Sequence, residues 1–287
     1  MDKNTLEKYK VDIFNVKDEN TFHPVEAQYG NSHLKRVDVF TADQCKRIED
    51  TLDKIDSLWI NRSCTPRFAY ENNTKSIRAP FWTLGAVSYL DAVENYSRYH
   101  KLKTVMNPVL KKKFGWMYDI ICEKFEEEFG CPVVIDDVLA HPGFHIFAAK
   151  KGQVISEGHV KLFETALGSI HVDIQYKEHW EYWQTFNHAD LDNQMTWTIP
   201  VKLPTHGGGL YTWDVEVDPS IFNYNTNENK RPDVSPTANK YYEGQMTYFF
   251  KHLLHQMMPG VKVTPNDRRL TVQGHGIKCD GVWRLYF

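Results

Sequence analysis

Two hydrophobic rhythms divide the chain near residue 130. Before it, apolar residues recur at three- and four-residue steps, the spacing of one face of an α-helix. Cys45, Ile48, Leu52, Ile55 and Leu58 follow that rule behind Thr41, a residue suited to cap a helix start, so a helix is expected over 42–59. Val87, Leu90, Val93 and Tyr96 predict a second helix over 86–101. Leu110, Phe114, Met117, Ile120, Ile121 and Phe125 predict a third over 106–129, with Glu123 and Glu126 to Glu128 on its solvated side and Gly130 as its stop. Residues 36–40 read as a short strand leading into the first helix, and residues 60–80, rich in Asn, Arg, Ser and Pro, as loop.

After Pro132 the period shortens. Segments at 133–139, 144–149, 169–175, 196–203, 209–213, 245–250, 254–258, 269–273 and 282–287 read as short strands separated by Gly, Pro or Asn turns. A run of helices followed by a run of strands predicts a mostly β fold, a sandwich or barrel, buttressed on one side by N-terminal helices. The polar stretch 215–243 is long enough to be a lid or an excursion from the core. No linker splits the chain. A single domain over 1–287 is expected, with a largely helical buttress at 1–131 and a β core at 132–287.

Composition narrows the possibilities. With 41% hydrophobic and 25% charged residues the chain reads as soluble and globular, and 287 residues suffice for a sizeable core. The formal net charge is -3, and the only basic run, Lys111 to Lys113, lies inside a helical pattern, so nucleic acid is not expected as a partner. Five dispersed cysteines without a CxxC pair point to a reducing compartment. The polar N-terminus and the lack of an 18-residue apolar run predict neither a secretory signal nor a membrane span, which makes the cytoplasm the expected location.

The candidate chemistry sits in the 169–175 segment. In a strand, His171 and Asp173 point to one face while Val172 and Ile174 point to the other. An imidazole and a carboxylate side by side are two of the three ligands of a two-histidine, one-carboxylate iron(II) site with open coordination positions. In a chain with 13 His, one His-x-Asp is also expected by chance, and a polar edge strand is the competing reading. The third ligand would be a distant histidine: His206, His252, His255 or His275. His206 sits in a flexible Gly-rich turn. His252 and His255, three apart, face opposite ways in a strand. His255 follows an apolar strand and precedes a turn, and it is favoured over His252. Further on, Arg269 and Thr271 share a strand face. A guanidinium facing a barrel interior is costly unless an anion meets it, and a neighbouring hydroxyl adds a further hydrogen bond. The competing reading pairs Arg269 with a core carboxylate.

The order His171, Asp173, His255, Arg269, Thr271 resembles the iron(II)/2-oxoglutarate-dependent oxygenases, whose pattern is His-x-Asp, a distal His, then Arg-x-Ser/Thr. The resemblance covers about residues 132–287. It implies a double-stranded β-helix of jelly-roll, cupin-like type, with iron(II) held by His171, Asp173 and His255. It implies 2-oxoglutarate held at its far carboxylate by Arg269 and Thr271, O2 as the other co-substrate, and succinate as a product. The implied reaction is hydroxylation of an unactivated C–H bond in a small polar metabolite, a free amino acid or a derivative. The layout is similar to the free-amino-acid hydroxylases related to carrier-free lysine halogenases. Radical halogenases that resemble this family carry a small residue where Asp173 stands, so the carboxylate favours hydroxylation over halogenation. Around the site, Gln175 shares the face of His171 and Asp173, with a ligand contact and a cross-strand contact equally open. Glu157 is a candidate for a substrate amine, with a solvated Glu the competing reading, and Trp213 is expected to line the pocket. His145 and Trp283 are expected in the core. Three other readings remain: desaturation or ring formation at the same site, a non-catalytic β-barrel that binds a ligand, and a modifier of protein or nucleic acid with 215–243 as its groove, the acidic balance arguing against nucleic acid.

Overall fold

Two β-sheets of unequal size carry the fold. The computed structural model describes residues 34–62, 81–148, 150, 171–213 and 235–287, and its sheets, contacts and faces belong to those residues. In chain order the strands are β1 (Lys35–Asp38), β2 (Ile60–Asn61), β3 (Phe81–Leu84), β4 (Val133–Ile135), β5 (Gly143–Phe147), β6 (Ala189–Lys202), β7 (Gly207–Trp213), β8 (Thr237–Lys240), β9 (Gln245–Phe250), β10 (Leu254–Gly260), β11 (Arg269–Cys279) and β12 (Val282–Tyr286). The larger sheet runs β1-β9-β6-β11-β5-β3-β2, with β12 joining β11 to β4; the smaller runs β10-β7-β8. Pairing is antiparallel throughout except between β4 and β12. The helices are α1 (Ala42–Lys54), α2 (Val93–Phe129) and the short α3 (Trp180–Trp183). No described helix is long and apolar enough to cross a membrane.

The larger sheet has two chemically different faces, and alternation along its strands makes them so. One face carries Met195, Trp197, Ile199 and Val201 of β6, Leu270 and Val272 of β11, Phe144 and Ile146 of β5, and Met246 and Tyr248 of β9, all in one buried apolar cluster. The helices close this face. Ile48 and Leu52 of α1 and Leu110, Phe114, Met117, Ile121 and Phe125 of α2 belong to the same cluster. Phe114 meets Phe144 at 4.7 Å between centroids, and Phe125 stands edge-on to Trp197 and Tyr248. Each such side chain, fully buried, contributes about 1.5–3 kcal/mol. The other face carries the polar members of the same strands: Thr196 opposite His275, Thr198 opposite Gln273 and Thr247, and Thr271 opposite His145. That polar face is where the site is built.

The helical half follows the sequence at its ends and departs from it in the middle. Thr41 caps α1 with a reciprocal capping box to Gln44, and Cys45, Ile48 and Leu52 are its buried face. The regular helix stops at Lys54 and a 3-10 turn, Asp56–Leu58, finishes the expected 42–59 segment. Gly130, at φ 63°, ends α2 and donates its amide to Glu126. The gap expected between the second and third helices does not exist: α2 continues past residue 101 and through Pro108 to Phe129. Asn107 anchors that stretch by bonding Leu139 and His141, while Pro108 sits on the exposed side, where a missing N–H costs least. The break falls earlier, at Asn95, whose φ of -160° is non-helical and whose side chain accepts from the Arg98 amide as an N-cap does. That shift in phase leaves Tyr96, expected on the buried face, 47% exposed.

Four further expectations change. The segment 169–175 is not a strand where it is described: His171 makes one isolated bridge to His255, and Gln175–His179 is a 3-10 turn. A side chain takes the place of a neighbouring strand at Asp173, whose carbonyl accepts from Gln194. The strand expected over 133–139 stops at Ile135, because the Asp136 carboxylate accepts the amides of Val138 and Leu139 and turns the chain. The polar stretch expected as an excursion contains β8, which pairs with β7. Asn239 makes this polar strand possible by bonding Thr212 and the carbonyls of Leu210 and Thr237. Gly209 lets the two strands close, since a Cβ there would lie 2.3 Å from the Asn239 carbonyl. Residues 60–61 of the expected loop form β2 against β3, a strand the periodicity did not reveal; residues 63–80 lie outside the described residues, as does most of 215–243.

Candidate active site

The isolated bridge between His171 and His255 is the keystone of the site. Each backbone amide donates to the other's carbonyl, at 3.0 and 2.9 Å, which fixes the two imidazoles side by side with centroids 4.3 Å apart. Two residues on, the Asp173 carboxylate turns into the same space. Its Oδ1 lies 3.7 Å from His171 Nε2 and its Oδ2 lies 3.5 Å from His255 Nε2. One ligand atom from each of the three residues falls within 4.8 Å of the others, and this is the one such group of three found among the described residues. Asp173 and His255 are buried, while the His171 side chain is 35% exposed and marks the open side.

The donor set fits a divalent transition metal. Ligands about 2.1 Å from an ion at right angles lie about 3 Å apart, so a bound ion would draw the carboxylate and the imidazoles, now 3.7 and 3.5 Å apart, inward. His255 Nδ1 meets the Leu253 carbonyl at 2.8 Å. A carbonyl only accepts, so the proton is on Nδ1 and the Nε2 lone pair faces Asp173. Burial, with His171 beside it, pushes His255 down to about 4, which keeps it neutral as a metal ligand must be. Burial pushes Asp173 up, but His255, His275, His171 and the Gln175 amide outweigh it and hold the carboxyl well below the usual carboxylate range.

Two hydrogen bonds orient the carboxylate. Gln175 Nε2 donates to Oδ1 and Thr196 Oγ1 donates to Oδ2, both at 2.8 Å. Thr196 has one proton and spends it on Asp173, so its 3.3 Å contact with His275 Nδ1 requires the histidine to donate. A chain of hydrogen bonds thus runs from His275 Nδ1 through the Thr196 hydroxyl to Asp173. Thr196, Gln194 and this role of His275 were not singled out from the sequence. The signal was there in part: Thr196 and Thr198 alternate with Met195, Trp197 and Ile199, placing hydroxyls on one face of an otherwise apolar strand.

Arg269 opens β11 on the same face. Its Nη1 donates to the Met258 carbonyl at 2.9 Å and its Nη2 reaches the Gly209 carbonyl at 3.4 Å. Its Nε is closed off from solvent and has no hydrogen-bond partner. The Tyr241 ring lies 5.9 Å from the guanidinium, and no described carboxylate pairs with it. Burial pushes its pKa down to about 10, so it stays charged at neutral pH. Thr271, buried, follows two residues along the same face.

The remaining candidates fall elsewhere. Across the β7–β10 ladder Trp213 pairs with Leu254 and Thr212 with His255, so Trp213 occupies the opposite face from His255, in the apolar cluster of Val172 and Ile174. His252 meets the Tyr176 hydroxyl at 3.3 Å rather than Asp173, and His206 is exposed in its turn. His145 is buried, with Nε2 2.9 Å from the Tyr89 hydroxyl, and burial followed by Arg62 and Arg269 pushes it down to about 3. Trp283 is buried in the main apolar cluster. Glu157 lies outside the described residues.

No family model and no curated protein matches the chain. Among solved structures, an N-substituted L-amino acid dioxygenase from Burkholderia ambifaria AMMD aligns over 89% of this chain and 86% of its own, at 11% identity and a TM-score of 0.44. The same enzyme in complex with alpha-KG aligns over 88% and 86%, at 11% identity and 0.42. The non-heme alpha ketoglutarate dependent epimerase SnoN from nogalamycin biosynthesis aligns over 90% and 84%, at 11% identity and 0.40. At these scores the residues of the site, rather than the alignments, carry the functional reading.

Proposed function

We propose that the protein is an iron(II)- and 2-oxoglutarate-dependent oxygenase that hydroxylates an unactivated C–H bond of a small polar metabolite, a free amino acid or a derivative. The observation that carries this reading is the convergence of His171, Asp173 and His255 within 4.8 Å in a largely buried site. Arg269, charged and without a described carboxylate, supports the anionic co-substrate. In this reading the two sheets are the halves of a double-stranded β-helix, and the chain folds as one oxygenase domain.

When bound, iron(II) with 2-oxoglutarate and O2 supplies the oxidising power for C–H hydroxylation, with succinate and carbon dioxide released. The chain does the rest. His171, Asp173 and His255 hold the metal and leave positions open for the reactants. Gln175 and Thr196 keep the carboxylate turned toward it. Arg269 and Thr271 receive the far carboxylate of 2-oxoglutarate, a match of planar fork to planar acid. Burial of Asp173 and His255 keeps bulk water from the reacting positions, and the open side at His171 admits a small substrate.

Anaerobic titration of the protein with iron(II) and 2-oxoglutarate tests the reading. A weak visible charge-transfer band is expected in the wild type, absent in His255→Ala and retained in His252→Ala. No band at saturating metal and co-substrate would sink the proposal. Amino acids and their derivatives that stimulate succinate release then identify the substrate.

A further inference from the structure

A row of oxidisable rings leads from the metal cluster toward solvent. It begins where the Asp173 hydrogen-bond chain ends, at His275, whose Nδ1 meets the Thr196 hydroxyl. Tyr286 of β12 lies opposite His275 in the ladder with β11, and the two rings are 5.7 Å apart between centroids. Trp183 of α3 stands 5.1 Å from Tyr286, and Tyr182 stands 4.9 Å from Trp183. Aromatic centroids about 4.5–7 Å apart mean rings in contact, so the row is continuous. Tyr286 and Trp183 are buried, whereas Tyr182 is half-buried and meets solvent.

The hydrogen-bond partners along the row differ in what they do with a proton. Trp183 Nε1 donates at 3.0 Å to the Tyr176 carbonyl, which accepts a hydrogen bond but does not take a proton. The Tyr182 hydroxyl donates at 2.6 Å to Oδ2 of Asp136, a carboxylate and therefore a base. Arg284 lies 3.6 Å from the same oxygen, and the Val138 and Leu139 amides donate to Oδ1, so the carboxylate is fixed in place. A phenol gives up an electron far more readily when a base takes its proton in the same step. An oxidising equivalent that enters the row therefore comes to rest at Tyr182. The neighbouring Tyr99 and Tyr96 connect to Tyr286 through His179, an imidazole that is much harder to oxidise than indole or phenol.

We propose that Tyr286, Trp183 and Tyr182 form an electron route that discharges the metal centre when it has been oxidised with no substrate in place. This rests on the metal assignment above and not on the identity of the substrate. In each passage one electron moves from Tyr182 through Trp183 and Tyr286 to the centre, and the phenolic proton of Tyr182 moves to Asp136 Oδ2. A thiol in solution then returns the electron to Tyr182, and Asp136 returns the proton. Two passages restore iron(II) and join two thiols in a disulfide. The two protons that the thiols release leave with the unspent oxygen atom as water.

The test uses the full chain, loaded anaerobically with one equivalent of iron(II) and then given hydrogen peroxide without thiol, in wild type, Tyr182→Phe, Trp183→Phe and His255→Ala. Frozen samples are read by electron paramagnetic resonance, and oxygen additions are mapped by peptide mass spectrometry. The wild type is expected to show a tyrosyl radical, with additions at Tyr182 and Trp183, and glutathione should quench both. Tyr182→Phe should lose the radical, and both it and Trp183→Phe should raise oxidation of His171 severalfold. His255→Ala, short of a metal ligand, should lose the localised pattern. Oxidation of the metal ligands alone in the wild type, a pattern unchanged in Tyr182→Phe, or the wild-type pattern in His255→Ala overturns the route. If Trp183→Phe does not fold, Tyr182→Phe, which deletes one hydroxyl from a half-buried ring, decides alone. Peroxide stands in for 2-oxoglutarate and O2, so failure of the route beside a normal 2-oxoglutarate charge-transfer band leaves the oxygenase reading standing. A wild-type protein that binds no iron overturns both.

Discussion

The two faces of the large sheet are made by the same strands yet carry opposite burdens. The helix-side face is held by volume: Trp197, Ile199, Val272 and Phe144 fill space against α1 and α2. The other face is held by direction, since Thr196, His275 and Asp173 interact only where each donor finds its acceptor. A strand that alternates the two kinds of residue builds core and site at once. The contrast teaches that stability and chemistry here are separable by parity along a strand rather than by distance along the chain.

The separation can be broken from the site side first. Asp173→Ala should abolish turnover and iron(II) binding while the far-ultraviolet dichroism of the fold is kept. Retained activity would mean that the cluster is not the metal centre. On the opposite face, Phe114→Ala removes a fully buried ring and should cost about 3–5 kcal/mol in urea unfolding. Iron affinity of the molecules that remain folded should not move, and a parallel loss of metal would show that the faces are coupled.

Thr196→Val sharpens the comparison, because it keeps the side-chain shape and deletes the donor to Asp173. Iron(II) should bind about 10–100-fold more weakly, with Tm little changed. A normal metal Kd would reduce the hydrogen-bond chain to packing. An effect confined to acid pH concerns His179, held neutral in the fold by burial, with Lys103 and His275 adding to the shift, and lowered to about 3 from 6.5. Between those values the unfolded chain binds the extra proton, so stability falls as pH drops from 6.5 toward 3, by up to about 1.4 kcal/mol per pH unit. His179→Gln should flatten the pH dependence of Tm in that window, and an unchanged slope would show that the histidine contributes nothing to acid sensitivity.

Much of this was legible before any coordinates. Thr41 and Gly130 mark helix ends because capping is local chemistry, set by residues within one turn. The strand over 245–250 was bounded to the residue, since a run of apolar and β-favouring residues between turns has one local solution. His171, Asp173 and His255, chosen from thirteen histidines and a set of carboxylates, are the three that meet. Their choice rested on strand alternation, although 172–175 is not a strand and a single bridge does the placing. The two sequence neighbours were constrained by chain connectivity alone.

What the sequence determined by itself was therefore short-range: where helices start and stop, which segments alternate, and which residue types carry metal and anion chemistry. The tertiary structure decided everything that depends on register. The continuity of α2 past residue 101 rests on Asn107 reaching Leu139 and His141, more than thirty residues away. The burial of the polar strand β8 rests on Asn239 finding Thr212. The partnership of His275 and Thr196 exists only because β11 lies beside β6 in one alignment, and a slip of one residue would send the hydroxyl into the helices and a tryptophan into the site. Local energetics are written in neighbouring residues, whereas a cross-strand contact is a property of the pairing, and no single strand contains it.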